Sequence, residues 1–391
     1  MSDMIAEISR LDYPLPVVMD ANWVNGLGII RSLAQVGVRS LAVTHHPEGT
    51  GLATRHAWPF LCASPIEQPD QFIEQMVRIG RALKHRGVLL LTDDTYMLTL
   101  ARARAELEPY FAFTFPELSA LERLMDKEEQ YRVADRLGVP YPRTLTPLNE
   151  GDLANWPDTA FPVLVKGREG KEFIRYTHSQ VVIAHNPDEL LAVFRQVQPC
   201  RMVVQEIIPG GDDHLYTLGS SISRSGEVLA TFTGRKLRQI PPGFGTCLLG
   251  ESLPCPEVER QGLALLKEFG FYGVSQVEFK RDDRDGSYKL IEINGRFWKW
   301  HSLATFCGVN LSAVAYREAI GAPVLAQPTQ AYGARWSVLL EGLKGKFKRG
   351  AGQPAGSPRY WLRPPLTDGL FSLEDPRPAL HFVRSVLTGK S

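Results

Sequence analysis

Val277-Glu278-Phe279, the polar run Arg281-Asp282-Asp283-Arg284-Asp285-Gly286, and Leu290-Ile291-Glu292-Ile293-Asn294-Gly295-Arg296 form the stretch on which the chain's reading turns. It reads as two strands joined by a turn. A turn centred near Asp285 sets Glu278 opposite Glu292. Side chains alternate faces along a strand, so Asn294 falls on the face of Glu292. Like charges directly opposite each other destabilise a sheet. A divalent cation removes that penalty. Two carboxylates with an amide oxygen suit Mg²⁺, which takes hard oxygen ligands and keeps waters or substrate phosphates. Arg296 follows at the mouth, suited to a phosphate or carboxylate. The plainer reading is a surface hairpin with scattered charges. Val277, Phe279, Leu290, Ile291 and Ile293 argue against it, because apolar flanks bury the strands in part and carboxylates are rarely buried unpaired.

The 391 residues around this hairpin suffice for two or three domains with a sizeable core. A net charge of +1 gives no support to nucleic-acid binding through bulk charge. The cysteines, Cys62, Cys200, Cys247, Cys255 and Cys307, are scattered and include no C-x-x-C pair. Neither a disulfide framework nor a zinc site is therefore expected, and a reducing, cytoplasmic setting fits. The first ten residues hold Asp3 and Glu7 and no long apolar run, unlike a signal peptide. No run of about 20 apolar residues occurs, so stable membrane insertion is not expected.

Residues 16–21 read as a strand, followed by Asn25-Gly26-Leu27-Gly28 and a helix over 29–36 that Gly37 ends. A second strand covers 38–44, and apolar spacing over 70–85 has a helical period. A strand at 88–91 leads into Thr92-Asp93-Asp94, before a helix over 96–106 and a strand at 111–115. Such alternation implies a parallel sheet covered on both faces, a doubly wound domain. Residues 117–137 read as mostly helical, stopped by Gly138 and Pro140. Strands at 161–166, 181–184 and 201–207 follow, with a helix over 188–196. A hairpin then turns at Ser225-Gly226, giving an α+β region with antiparallel pairing. The expected domains are 1–120, 121–210, 211–325 and a C-terminal extension over 326–391. In that extension Trp336, Leu339, Leu340, Leu343 and Phe347 lie at helical spacing beside Lys344, Lys346, Lys348 and Arg349. A basic amphipathic helix can lie on a membrane, but packing on its own domain is the commoner outcome.

The hairpin has company upstream. Lys127 opens an amphipathic helix after Met125-Asp126. Lys166 ends the nearly all-apolar strand Phe161-Pro162-Val163-Leu164-Val165-Lys166, where an ammonium needs an anionic partner. Gln205-Glu206-Ile207-Ile208-Pro209-Gly210 is a strand end stopped by proline, with a backbone edge suited to a flat heterocycle. In this order the segments resemble the ATP-grasp superfamily, over residues 14–320. Within it, Asn25-Gly26-Leu27-Gly28 and Asn294-Gly295-Arg296-Phe297-Trp298 resemble the carboxylate–amine ligases of the D-aspartate ligase-like and predicted ATP-dependent carboligase groups.

The resemblance implies a doubly wound N-terminal domain, a small α+β lid and an antiparallel ATP and metal domain. It implies that Lys127 and Lys166 hold ATP phosphates. Glu206, beside Gln205, and the backbone of Ile207 and Ile208 would read the adenine edge. Asp213, with Asp212 as its rival, would take the ribose hydroxyls. Glu278, Glu292 and Asn294 would hold one or two Mg²⁺ ions, with Mn²⁺ able to substitute. Arg296 would meet the transferred phosphoryl group or the substrate carboxylate. Arg235 and Lys236, ahead of the loop Pro241-Pro242-Gly243-Phe244-Gly245, would add charge stabilisation. Asn25, Gly26, Gly28, Asp93 and Asp94 are substrate candidates, because ligands of open α/β sheets bind outside the strand ends. Gly26 and Gly28 fall short of a dinucleotide fingerprint, so NAD is not expected.

The implied reaction is ATP-dependent ligation. A carboxylate becomes an acyl phosphate, and an amine displaces phosphate to form an amide. The partners are small, amino-acid-like acids and amines, and a homodimer is compatible. Two alternatives stay open: a carboxylase or kinase-like activity with a non-amine acceptor, and a nucleotide-binding regulator without catalysis. Plainer readings also stand for single residues. Lys127 could pair with an acid on its own helix, and Arg235 and Lys236 could be a solvated pair. Asp212 and Asp213 could shape a turn, and His301 could be structural rather than a proton carrier. One departure is plain. Residues 167–173 hold two glycines where many relatives have a glycine-rich lid, so Arg168 and Lys171 would have to supply charge in place of backbone amides.

Overall fold

The computed structural model describes residues 2–168, 170–197, 202–342 and 363–388. Its first sheet holds five parallel strands: β1 (Pro16–Met19), β2 (Ser40–Thr44), β3 (Ala57–Leu61), β4 (Gly87–Leu91) and β5 (Phe111–Phe113), in the order β3-β2-β1-β4-β5. Helices α1 (Ser2–Ile8), α2 (Val24–Ala34), α3 (Pro69–Ala82), α4 (Asp94–Arg102) and α5 (Arg104–Leu107) accompany it. This is the doubly wound arrangement that the strand and helix alternation implies. The strand order reverses between β1 and β4, the place where such sheets take ligands. The edge strand β3 is hidden in the sequence by Pro59, and an edge is where a strand tolerates proline.

Two helices follow, α6 (Leu118–Met125) and α7 (Lys127–Arg136), within the mostly helical stretch expected over 117–137. Asp126 divides them with extended backbone, and its carboxylate accepts the Glu128 N–H at 2.9 Å. Lys127 is thereby the first residue of α7. A four-stranded antiparallel sheet comes next: β6 (Thr144–Leu145), β7 (Val163–Gly167), β8 (Val181–Ala184) and β9 (Met202–Glu206), ordered β6-β9-β7-β8. Helices α8 (Gly170–Thr177) and α9 (Pro187–Val197) pack on it through Phe173, Leu190 and Phe194.

The third sheet has seven strands: β10 (Leu215–Ile222), β11 (Val228–Ile240), β12 (Thr246–Ser252), β13 (Gly273–Arg281), β14 (Tyr288–Asn294), β15 (Arg335–Ser337) and β16 (Leu366–Asp368). Their order is β14-β13-β10-β11-β12-β15-β16, antiparallel except for the last pair. Helix α10 (Pro256–Glu268) covers one face with α7, burying Leu218, Leu265, Leu266 and Phe279 in one core. The other face meets α2, α11 (Ser302–Phe306) and α12 (Leu311–Ala319) around Phe232, Trp298 and Trp300. Fully burying an aromatic side chain of this kind contributes about 1.5–3 kcal/mol, so this layer fastens the first sheet to the third. Helix α13 (Arg377–Leu387) adds Ala379 and Phe382 to the same core.

The expected amphipathic helix of the tail is corrected in part. Trp336 lies in β15, fully buried, because β12 offers a free edge at Leu249–Glu251 that residues 335–337 fill. Residues 339–342 are helical, while Leu343, Phe347 and the basic residues after them lie outside the described residues. Among the described residues no helix is long and apolar enough to cross a membrane.

Candidate active site

The hairpin of β13 and β14 has the register that the turn implies. Glu278 pairs with Glu292, and Gln276 pairs with Asn294. The strands contain one irregularity: Phe279 pairs with Leu290, so Ile291 is an extra residue. This bulge decides the site. Strict alternation would set Leu290 on the carboxylate face. With the bulge, Val277, Phe279, Leu290 and Ile293 all enter one core, while Glu278 and Glu292 share the opposite face.

Three lysines converge on that face. Lys236 reaches across β10 and places Nζ 2.8 Å from Glu278. Lys127 lies 3.7 Å from Glu292, on the sheet rather than on an acid of its own helix. Lys166 donates to Gln205 Oε1 at 3.0 Å and to the Tyr131 hydroxyl at 3.3 Å. Amides complete the group: Asn294 Nδ2 donates to Glu292 at 2.9 Å, and Gln276 Nε2 donates to Glu278 at 2.9 Å. A half-turn of the Asn294 amide would present its oxygen instead, so Glu278, Glu292 and Asn294 could supply the all-oxygen donor set that suits Mg²⁺.

The electrostatics are strongly perturbed, as expected where function gathers buried charge. Burial lifts the Glu278 carboxyl and Glu292 adds to it, against the pull of Lys236. Burial also pushes Glu292 upward, but Lys127, the Asn294 amide, Lys236 and Lys166 outweigh it and hold it at about 2. Burial pulls Lys166 down to about 8, opposed by Glu292. Tyr131 and Gln276 belong to this network and are not among the sequence candidates. Tyr131 had a signal, lying one helical turn beyond Lys127 on the same face.

The remaining candidates divide. Arg296 Nε donates to Asp94 at 2.8 Å, and the Phe297 N–H bonds to Leu91 at 3.1 Å, which brings the hairpin's end against the first sheet. Asp93 is committed to α4, whose first turn it caps through Thr95 and Tyr96 N–H. Asn25 is half-buried and donates weakly to the Thr92 carbonyl at 3.4 Å. Gly26 and Gly28 lie buried inside α2, which starts at Val24 rather than at residue 29. A Cβ on Gly26 would stand 2.6 Å from Ala21 Cα, and one on Gly28 would stand 2.9 Å from His301 Nε2. Close packing therefore accounts for both glycines. His301 is buried, donates from Nε2 to the Asn25 carbonyl at 2.8 Å, and is pushed down to about 4, so it is neutral at pH 7 and structural.

Glu206 accepts the Arg143 N–H at 2.9 Å and is paired with Arg284 at 3.0 Å and Lys289 at 3.3 Å, both from the β13–β14 hairpin. Ile207 is half-buried and Ile208 buried beside it. Asp213 is exposed and pairs with His214 at 3.1 Å. Asp212 instead holds the loop after β11, accepting the Gln239 N–H at 2.8 Å and the Gly243 N–H at 2.9 Å. Arg235 faces away from the cluster, because neighbours on a strand point to opposite sides, and pairs with Glu251 at 3.1 Å. Arg168 grips Asp126 and Glu128, the residues flanking Lys127. The side chain of Lys171 lies outside the described residues.

No protein-family model matches the chain. It is similar to D-aspartate ligase of Enterococcus faecium (strain Aus0004), 26% identical over 264 residues, a match spanning 63% of each chain. Its structure is similar to that of a biotin carboxylase from Campylobacter jejuni in a βγ-ATP complex, with a TM-score of 0.64, 15% identity and coverage of 82% of this chain and 74% of the other. It is also similar to an L-amino acid ligase from Bacillus licheniformis, with a TM-score of 0.59, 14% identity and coverage of 78% and 74%. With three sheets in this order, and with lysines from α7 and β11 on the carboxylate pair and one from β7 beside them, the chain has the ATP-grasp fold of these structural neighbours.

Proposed function

We propose that the protein is an ATP-dependent carboxylate–amine ligase acting on small, amino-acid-like substrates. The observation that carries this reading is the opposed Glu278–Glu292 pair, Glu278 buried and Glu292 half-buried, with Lys127, Lys166 and Lys236 gathered about it. The similarity to D-aspartate ligase and to an L-amino acid ligase supports amide formation, and the βγ-ATP complex of a structural neighbour supports the nucleotide.

In this reading Lys127 and Lys166 hold the phosphates, and the strand end at Gln205, Glu206, Ile207 and Ile208 receives the adenine. Asp213 is the candidate for the ribose. Glu278, Glu292 and Asn294 would hold Mg²⁺, which supplies positive charge against the phosphate oxygens. Arg296, beside Asp94, meets the acid at the junction with the first sheet. The substrate carboxylate attacks the γ-phosphate, the bond to the bridging oxygen breaks, and ADP leaves. The amine then attacks the acyl carbon, phosphate leaves and the amine proton is lost. The chain's residues act by positioning and charge neutralisation, as phosphoryl transfer requires. Lys166, drawn down to about 8 by burial, would be held in its charged form by a bound phosphate.

The test is release of ADP and phosphate by purified protein given ATP, Mg²⁺ and pooled amino acids, with mass spectrometry of the product. A mass equal to acid plus amine minus water supports ligation. ADP release that needs bicarbonate, or ATP binding with no turnover across a broad panel, overturns it.

A further inference from the structure

A second cluster stands at the carboxyl end of the first sheet, apart from the carboxylate–lysine face. Asp20 follows β1, and His45 and His46 follow β2. These strands are parallel neighbours with Met19 opposite Val43, so the register brings their next residues together. One ligand atom from each of Asp20, His45 and His46 lies within 4.8 Å of the others, and the two imidazole centroids are 3.9 Å apart.

The surroundings are built rather than loose. Asp20 has φ 54, a left-handed conformation that costs a non-glycine residue about 1–2 kcal/mol and is kept where its surroundings demand it. The Thr44 hydroxyl donates to its carboxylate at 3.1 Å, and the Thr92 hydroxyl donates to its carbonyl at 3.0 Å. The Tyr96 hydroxyl sits 2.7 Å from His45 Nδ1 and accepts the His45 backbone N–H at 2.9 Å. A hydrogen-bond partner at Nδ1 holds the ring plane, and where Nδ1–H is the donor Nε2 is left as a ligand atom, as in metal-bound histidines. Asp20 and His45 are half-buried while His46 is exposed, which leaves an approach from solvent.

We propose that Asp20, His45 and His46 form a binding site for a divalent transition-metal ion of the zinc type. Two imidazoles and one carboxylate are a donor set for zinc or its neighbours rather than for Mg²⁺, which prefers oxygen throughout. Three protein ligands leave a coordination position for a small ligand. The cluster lies at the carboxyl ends of β1 and β2, beside the β1–β4 crevice where sheets of this kind take ligands, and Thr92 ties it to the end of β4 just ahead of Asp94. A substrate carboxylate or amine suits the remaining position. The expectation against a zinc site rested on the cysteines, whereas these ligands are histidines and an aspartate.

The experiment is equilibrium dialysis of chelator-treated full-length protein against Zn²⁺, with excess Mg²⁺ and no nucleotide, read by elemental analysis. One equivalent of zinc is expected. His46→Gln, at an exposed position that the fold does not need, should weaken binding about tenfold or more. Asp20→Asn should do the same, and Glu292→Gln should leave zinc binding unchanged. Cobalt added in place of zinc should give visible ligand-field absorption that His46→Gln loses. Absence of stoichiometric zinc overturns the site, as does undiminished binding in folded His46→Gln. These readouts do not depend on ligase turnover, so they stand whether or not the proposed reaction does.

Discussion

Glu278 and Glu292 oppose each other on paired strands, and each is answered from a different element: Lys236 of β11 at 2.8 Å from Glu278, and Lys127 of α7 at 3.7 Å from Glu292. Their mutual repulsion is thus offset from two directions. Both lysines neutralise the pair, and in the proposed function the same carboxylates would serve as donors to Mg²⁺. Replacing Glu292 by alanine removes one donor and leaves Lys127 without its carboxylate. ADP release should fall by at least about 100-fold, with the circular dichroism spectrum unchanged. Wild-type turnover in folded Glu292→Ala protein would exclude Glu292 from the reaction.

Lys166 makes stability depend on pH in a definite direction. Burial lowers its folded value to about 8 from the 10.5 of an exposed lysine. Between those values the unfolded chain holds more protons than the folded one, so stability rises with pH across that window. The penalty is fully present below about pH 8. Chemical denaturation of wild type and Lys166→Met should therefore diverge, with the wild type gaining stability on the order of 1 kcal/mol more than the variant as pH climbs from 8 toward 10.5. ATP phosphates reverse the shift, so nucleotide binding at pH near 8 should take up protons, visible by calorimetry in buffers of different ionisation enthalpy. Identical pH profiles for the two proteins would remove Lys166 as the cause.

Much of this site was legible because it is local. The opposed carboxylates follow from a turn centred near Asp285, and Lys127 at a helix start follows from Asp126 before it. What the sequence hid depends on distant partners. The extra residue Ile291 has meaning only once Phe279 and Leu290 share a core. Alternation says that Arg235 and Lys236 face opposite ways, but only Glu278 decides which one turns inward. Glu206 looked like a free reader of an adenine edge, yet Arg284 and Lys289 hold its carboxylate from far along the chain. Gly28 looked like a substrate loop until His301 was packed against it.

Gly28 offers a direct trial of that correction. A Cβ there would stand 2.9 Å from His301 Nε2, inside a fully packed layer. Gly28→Ala should destabilise the protein by about 1–3 kcal/mol, the usual cost of overpacking, while leaving Michaelis constants near wild type. Thermal melts alongside steady-state kinetics decide it. An unaltered melting temperature with a raised KM for the acid or amine would return Gly28 to the substrate site.

Arg296 should matter to the acid more than to ATP. Its Nε bonds Asp94 at 2.8 Å and its Nη1 the Phe297 carbonyl at 3.4 Å, and a carboxylate would meet the Nη2 side of the planar fork. Lysine keeps the charge but loses the fork. In Arg296→Lys, kcat/KM for the acid should drop about 10–100-fold, the worth of a charged hydrogen bond, with KM for ATP changed much less. Equal losses for both substrates would place Arg296 on the phosphoryl group instead.

Arg168 bears on how a glycine-poor lid can still serve the nucleotide. It follows Lys166 and Gly167 at the end of β7 and pairs with Asp126 and with Glu128, the latter at 2.8 Å. Those two acids flank Lys127, so one side chain joins the two elements that carry Lys127 and Lys166, the lysines proposed to hold the phosphates. Arg168 is 19% exposed and Asp126 31%, so this pair is less solvated than a surface ion pair of little worth. Cutting the link should let β7 and α7 drift relative to each other without touching the Glu278–Glu292 pair. Lys127 and Lys166 would then meet the phosphates less often in register, and positional errors of this kind are costly. Arg168→Ala should raise the dissociation constant for ATP about tenfold, while zinc or acid binding at the first sheet stays as it was. Isothermal titration with a non-hydrolysable ATP analogue measures it. An unchanged constant would mean that other contacts, the Lys166–Tyr131 bond among them, keep α7 and β7 in place.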